Sequence, residues 1–435
     1  KILLPILLLV SVISFGQVSW KKIIGDNSNY DVQADILKIS NNEYWTAFLK
    51  DYNNNAVNQT FIVSLNQIGD TLWTKEYSLT GSRFIPSLLM GFDGNSVYLV
   101  DAVSNNGTNI DLGVNKLDLN GNLIWSKKYD GPDDIETQPF DVIQLQDSCL
   151  LINYWSLSFT NGSSRTGGIM KIDTAGNLLW DLNFANVGSV NSITELDNGN
   201  IVAFLGENVI KISSNGNIIA TKRLQNITVS DSKNVGSSIF IYGTASNLSA
   251  EKDIFLGEID TSFNLNWFKV YNSTVSNNYR ESPRSLLRDD AGNFYFNFYT
   301  NNVISGSSNP PRYNVLQKAD STGNLLQHLA YEYTAGGSYG TIIRNGSEIY
   351  RTYFDGSSGS ANIIINKLDT SLNSNCSNSD NYPMSAVNYT PNELLYTPSI
   401  ITGLIEMNFN RVESNPGINA TTLCYNDPSQ DCFPS

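Results

Sequence analysis

The sequence predicts an all-β chain: a seven-bladed β-propeller with four-stranded antiparallel blades and a ring closed by the N-terminal strand. Three observations predict it. A strand–turn–strand unit, Lys116 to Tyr129 (KLDLNGNLIWSKKY), recurs seven times at one internal register. The copies lie 52, 55, 40, 47, 60 and 49 residues apart, close to the period of kelch- and WD-type blades. No long stretch carries the apolar periodicity of a helix.

The unit itself explains its residues. With Asp118 as reference, the equivalent positions are Asn66, Asp118, Asp173, Ser213, Asp260, Asp320 and Asp369. Three residues on stand Gly69, Gly121, Gly176, Gly216, Phe263, Gly323 and Leu372. Asn or Asp follows at the next position in every copy. Seven residues after the reference stand Trp73, Trp125, Trp180, Ala220, Trp267, Gln327 and Cys376. An aromatic residue recurs eleven residues on, at Tyr77, Tyr129, Phe184, Tyr271 and Tyr331. Gly121-Asn122 predicts a two-residue primed hairpin turn with positive φ. Leu123, Trp125 and Tyr129 then share one face, because strand side chains alternate. A lone hairpin is only marginally stable, so the Trp positions are read as packing between blades, where aromatic burial contributes a few kcal/mol at roughly 25 cal/mol/Å².

Taken in order, residues 1–16 (KILLPILLLVSVISFG) are expected to be a signal peptide. They have a basic start, an apolar core too short for a span of roughly 20 residues, and small residues before Gln17. Cleavage is expected between Gly16 and Gln17, leaving a chain that does not span a membrane. Val18 to Ile24 looks like the strand after a turn, with no turn before it; Trp20, Lys22 and Ile24 match Trp125, Lys127 and Tyr129. The seventh turn is followed by CSNSDNYP, poor strand material, so Val18 to Ile24 is expected to complete the seventh blade beside Asn362 to Leu368. The propeller is expected over 17–376. Residues 377–435 leave the repeat and read as an extended tail or small β cap, with alternation at Leu404 to Phe409.

Composition narrows the setting. There are 27 basic and 41 acidic residues, a net charge of −14, which argues against nucleic acid as a partner because phosphate binding needs a basic surface. The four cysteines are Cys149, Cys376, Cys424 and Cys432. On an exported chain disulfides are permitted. A Cys376–Cys424 bridge would staple the tail to the last blade, and Cys424–Cys432 is the alternative. Zinc is disfavoured by the single histidine and the lack of a Cys-x-x-Cys pair.

No catalytic constellation stands out. His328 reads as structural, and no G-x-S-x-G elbow accompanies it. The densest acidic loop, with Asp130, Asp133 and Asp134, offers oxygen ligands suited to calcium but lacks EF-hand spacing, and a solvated loop is the plainer reading. No other cofactor is called for. No pair of carboxylates is marked out for glycoside hydrolysis. The repeated Asp, Gly and Trp are similar to sialidase Asp boxes and to quinoprotein repeats, but the Asp-to-Gly spacing differs from both.

The composite blade, ending K-x-D-x-x-G-N-L-x-W-x-K-x-Y, resembles secreted propellers of Gram-negative bacteria that use type IX secretion. Lys116 to Gly131, Asp197 to Phe204 (DNGNIVAF) and the SFGQ end of the signal segment carry the resemblance, which extends over about Val18 to Cys376. It implies the propeller fold and export to the cell surface, the extracellular space or the periplasm. Members that cross the outer membrane carry a C-terminal sorting domain; this sequence runs to Asp431-Cys-Phe-Pro-Ser435 without one. Three expectations follow: a longer natural chain, a periplasmic protein, or one held by a partner. The expected function is a non-catalytic binding or scaffold module with a protein or glycan partner at the cell envelope. The alternative is a carbohydrate-active enzyme, a hydrolase or lyase, with its site on one face of the propeller.

Overall fold

The computed structural model describes residues 19–426 apart from 25–31, 51–58, 79–85, 104–109, 131–135, 158–164, 186–188, 247–251, 274–278, 303–311, 334–339, 356–361 and 373–383. Within the tail it also leaves out 389–390, 392, 395–396, 399, 402–404, 409–411 and 415–419. Among the described residues every regular element is a strand. The strands form seven four-stranded antiparallel blades around a central channel. The innermost strands, in blade order, are Val32–Ser40, Ser87–Met90, Glu136–Gln144, Val190–Glu195, Ile227–Val235, Tyr279–Arg288 and Ile342–Asn345. The fourth strands are Thr71–Ser78, Leu123–Asp130, Leu178–Phe184, Ile218–Leu224, Leu265–Ser273, Leu325–Tyr333 and, for blade 7, Ser19–Ile24. Second and third strands are largely buried, their polar residues included, as central strands covered on both faces must be.

The ring closes as the sequence predicts. Ser19–Ile24 runs antiparallel to Asn362–Asp369, with Trp20 opposite Lys367 and Ile24 opposite Ile363. The tail does something the sequence did not announce. Its strands add a fifth, outermost strand to one blade after another. Met384–Asn388 joins blade 5, Glu393–Leu394 blade 4 and Ile400–Ile401 blade 3. Ile405–Asn408 joins blade 2, Val412–Ser414 blade 1 and Ala420–Asn426 blade 7. The tail is therefore a belt that travels round the ring against the order of the blades. Among the described residues only blade 6 lacks a fifth strand.

The repeated turn is longer than the two-residue primed turn expected from Gly121-Asn122. Gly121 N–H donates to Asp118 O and Asp118 N–H to Asn122 O, both at 2.9 Å, and only Gly121 has positive φ, at 75°. This is a type I turn followed by a left-handed glycine, with a register shift one pair further along the hairpin. The Asp118 carboxylate organises it, accepting the amides of Asn120 and Asn122 at 2.8 Å and the Asn122 side-chain amide at 2.8 Å.

The rest of the motif clasps the neighbouring blade. Tyr77 Oη donates to Gly121 O at 2.6 Å and Lys75 Nζ to Asn122 Oδ1 at 2.6 Å, tying blade 1 to blade 2. Tyr129 and Lys127 repeat this on Gly176 and Asn177 of blade 3, and Tyr271 and Lys269 on Gly323 and Asn324 of blade 6. The Trp lies flat against the neighbour's glycine: a Cβ on Gly176 would come within 2.9 Å of the Trp125 ring. Trp20, Trp73, Trp180 and Trp267 press in the same way on Gly69, Gly121, Gly216 and Gly323. The two turns without glycine follow the two outer strands without Trp. Ala220 of blade 4 packs against the cluster that contains Phe263 of blade 5. Gln327 of blade 6 precedes Leu372 of blade 7. Phe263 and Leu372 are buried and hold positive φ of 67° and 54°. A bulky side chain fills the space of the missing indole, at the cost of backbone strain.

Candidate active site in the central channel

All seven inner strands contribute to the channel, a cavity of about 1000 Å³. In blade order, Asp35, Ser87, Asp141, Ser192, Asp231, Ser285 and Thr341 occupy matching positions at the inner strands, and in every blade but the fifth an apolar residue follows directly. Asp occupies blades 1, 3 and 5, and a hydroxyl residue every other blade. Two of the three carboxylates tie blades together. Asp35 accepts the amide of its neighbour Ile36 at 2.8 Å, the Leu88 amide of blade 2 at 2.8 Å and the Thr341 hydroxyl of blade 7 at 2.6 Å. Asp231 accepts the amides of Ser232 and of Leu286 in blade 6, both at 2.7 Å, and its Oδ1 lies 3.1 Å from Lys233 Nζ.

Asp141 is different. Among the described residues it takes one hydrogen bond, from the adjacent Val142 amide to Oδ1 at 2.8 Å. Its side chain faces the channel water, yet protein surrounds that channel, so the carboxylate is poorly solvated. Burial, then the negative charge of Asp231, push its pKa up to about 7. Burial also raises Asp35, against the hydrogen bonds that oppose it. Lys233 is held above its usual range: burial works against its charge, and Asp231 and Asp141 outweigh that. Glu281, buried and accepting the Ile254 amide at 2.8 Å, and Arg284, stacked 5.2 Å over Tyr299, complete the wall beside Asp231. Four carboxyl groups, Asp35, Asp141, Asp231 and Glu281, therefore share one cavity in different surroundings, the pattern that divides acid from anion roles in catalysis.

The residues singled out from the sequence lie elsewhere. The Gly and Trp positions belong to the blade clasps. Asp130 is half-buried at the end of its strand, 3.9 Å from Lys128, and Asp133 and Asp134 lie outside the described residues. No group of three potential metal ligands occurs among the described residues. Cys376 is outside the described residues and the Cys424 side chain is not described, so their bridge stays an expectation. Cys149 is a half-buried free thiol, pushed up to about 11 by burial and by Asp147. His328 is half-buried on its strand opposite Gln317, and burial lowers its pKa. The channel row had a readable signal. In blades 2, 3, 4 and 6 its residue stands seven before a left-handed turn residue, Gly94, Ser148, Gly199 and Gly292.

No known protein family matches the sequence, and no curated protein is similar to it. Solved structures resemble the fold at low identity. Trypanosoma rangeli sialidase aligns with a TM-score of 0.43 and 11% identity, over 79% of this chain and 55% of that one. Phage phi92 endosialidase aligns with a TM-score of 0.41 and 11% identity, over 86% and 72%. Penicillium chrysogenum alpha-L-arabinanase aligns with a TM-score of 0.41 and 9% identity, over 82% and 98%. The chain thus spans about half the length of the sialidase. These likenesses are of fold. All three are glycoside hydrolases. The expectation of a non-catalytic binding or scaffold module is corrected in favour of its alternative, a carbohydrate-active enzyme, on the carboxyl groups of Asp35, Asp141, Asp231 and Glu281 that this chain gathers in one channel. Among the described residues the Asp141 carboxylate ties no blade to another.

Proposed function

We propose that the protein is an enzyme that cleaves glycosidic bonds in its central channel. The observation that carries this reading is Asp141: a channel-lining carboxyl group held by the Val142 amide, with a pKa pushed up to about 7 by burial and by the charge of Asp231 in the same cavity. Glycoside cleavage needs such a pair, one member to protonate the departing oxygen and one to oppose the positive charge that develops on the sugar. Asp141 supplies the proton. Asp231, fixed by Ser232, Leu286 and Lys233, faces the developing charge. The substrate is an envelope or extracellular glycan, in keeping with the export implied by residues 1–16.

The test is turnover of a broad polysaccharide and oligosaccharide panel, read by released reducing ends. Asp141→Asn should lose activity by about 10²-fold or more, the usual range for removing a general acid, with KM little changed. Because Asp141 must be protonated, kcat/KM should fall as pH rises through about 7. Full activity in Asp141→Asn, or a rate that climbs steadily above pH 7, would remove the assignment.

A further inference from the structure

The inner strands share a second device. In blades 3, 4, 5 and 6 the pairing with the next strand skips one residue immediately before the channel row. The skipped residues are Phe140, Asn191, Ser230 and Arg284, and all four line the channel. A bulge breaks the alternation of the strand, so two successive residues reach the same side. Phe140 and Asp141, Ser230 and Asp231, and Arg284 and Ser285 therefore enter the cavity as pairs.

Their chemistry is selective. Phe140 is 43% exposed, and among the described residues it is the one large apolar side chain lining the channel that is so open to water. The other three offer an amide, a hydroxyl and a guanidinium, with Arg284 steadied over the Tyr299 ring. A pyranose ring matches that set: its hydroxyls need donors and acceptors, and its axial C–H groups make an apolar face that seats on an aromatic ring.

We propose that Phe140, Asn191, Ser230 and Arg284 form a sugar-binding subsite, with Phe140 the platform that seats a pyranose ring beside Asp141. This rests on the reading of the channel as a glycan-cleaving site. Phe140 acts on the sugar itself, and the bulge sets it next to Asp141 on one wall.

The test separates binding from chemistry. The Asp141→Asn protein, and the same protein carrying Phe140→Ala or Phe140→Tyr, are applied to a printed array of α- and β-linked oligosaccharides. The expected result is a defined set of glycans retained by Asp141→Asn, lost at least tenfold with Phe140→Ala and kept with Phe140→Tyr. Retention of the same glycans with Phe140→Ala, or of none by any of the three proteins, overturns the subsite. If retention depends on Phe140 but the wild-type protein cleaves none of the retained glycans, the subsite stands and the cleavage reading falls. If cleavage is found and Phe140→Ala leaves KM unchanged, the reverse holds.

Discussion

Gly176 and Trp125 show how tightly neighbouring blades constrain each other. Gly176 holds φ of 81° and would bring any Cβ within 2.9 Å of the indole. Gly176→Ala should therefore destabilise by about 1–3 kcal/mol, adding backbone strain to the clash. Urea unfolding measures it; a change within about 0.5 kcal/mol, the usual surface-substitution range, would mean the indole can move aside. The swapped pair makes a sharper case. Phe263→Gly should leave a cavity beside Ala220 and cost about 3 kcal/mol, less what the relieved φ returns. Ala220→Trp alone should overfill the same space. Made together they restore the Trp–Gly arrangement of five other blade junctions, so the double variant should be more stable than the sum of the singles implies, with a coupling of about 1–3 kcal/mol. Strict additivity would show that the two sites do not share that space. The compensation was hidden in the sequence because Phe263 and Trp267 fall in one repeat copy, whereas the residue that Phe263 answers is Ala220 of the copy before.

At the scale of the element, the turn and the inner strand respond to acid in opposite directions. In the turn headed by Asp320, hydrogen bonds from Asn324 and Thr322 outweigh burial and hold its pKa at about 2; Asp118, Asp173 and Asp260 are likewise lowered. A carboxyl depressed on folding stabilises fully above its unfolded value near 4, and that contribution is lost as pH falls through the folded value. The inner strand carries the opposite case. Asp141, raised to about 7, favours the folded state at low pH, and this is lost as pH rises from about 4 to 7. Melting temperature should therefore drop steeply below pH 4. Asp141→Asn should raise it at pH 8 and leave it unchanged at pH 4. An equal effect at both values would show that Asp141 does not titrate in that window. The hairpin elements were legible because Asp, Gly, Asn, Trp and Tyr each keep a fixed place in them. The channel row was legible only in part, through its seven-residue distance to a left-handed turn residue in four blades. The bulge slips the alternation by one residue before Asp141, Ser192, Asp231 and Ser285, and connecting loops of unequal length spread their distance to the next hairpin.

For the whole molecule, closure depends on Ser19–Ile24, which pairs on one side with Asn362–Asp369 and on the other with Ala420–Asn426. Deleting 19–24 should cost more than deleting 420–426, because it removes two ladders and the Trp20 clasp on Gly69 while leaving blade 7 without its fourth strand. A fall in melting temperature larger by on the order of 10 °C is expected by calorimetry; equal losses would show that the belt, not the N-terminal strand, closes the ring. The seven blades and this closure were readable from seven copies at one register and one orphan strand. The belt was not, since Glu393–Leu394 and Ile400–Ile401 are two residues long and take their conformation from the blade edge rather than from any pattern of their own.

The place where Ser19–Ile24 ends up also sets a timetable. Its neighbours in the sheet are the last strand of the repeat and the last described strand of the chain. On a ribosome, or in a pore that passes the chain from its N-terminus, the first strand must wait unpaired while more than three hundred residues follow it before Asn362–Asp369 arrives. The blades between can form as they emerge, but the ring stays an open arc until Asn362–Asp369 arrives to receive that strand, and the belt is laid on afterwards against the order of the blades. A chain exported in this direction would reach the far side with its hoop undone, and the channel around Asp141 would take shape only after the last strand of the repeat, Asn362–Asp369, had cleared.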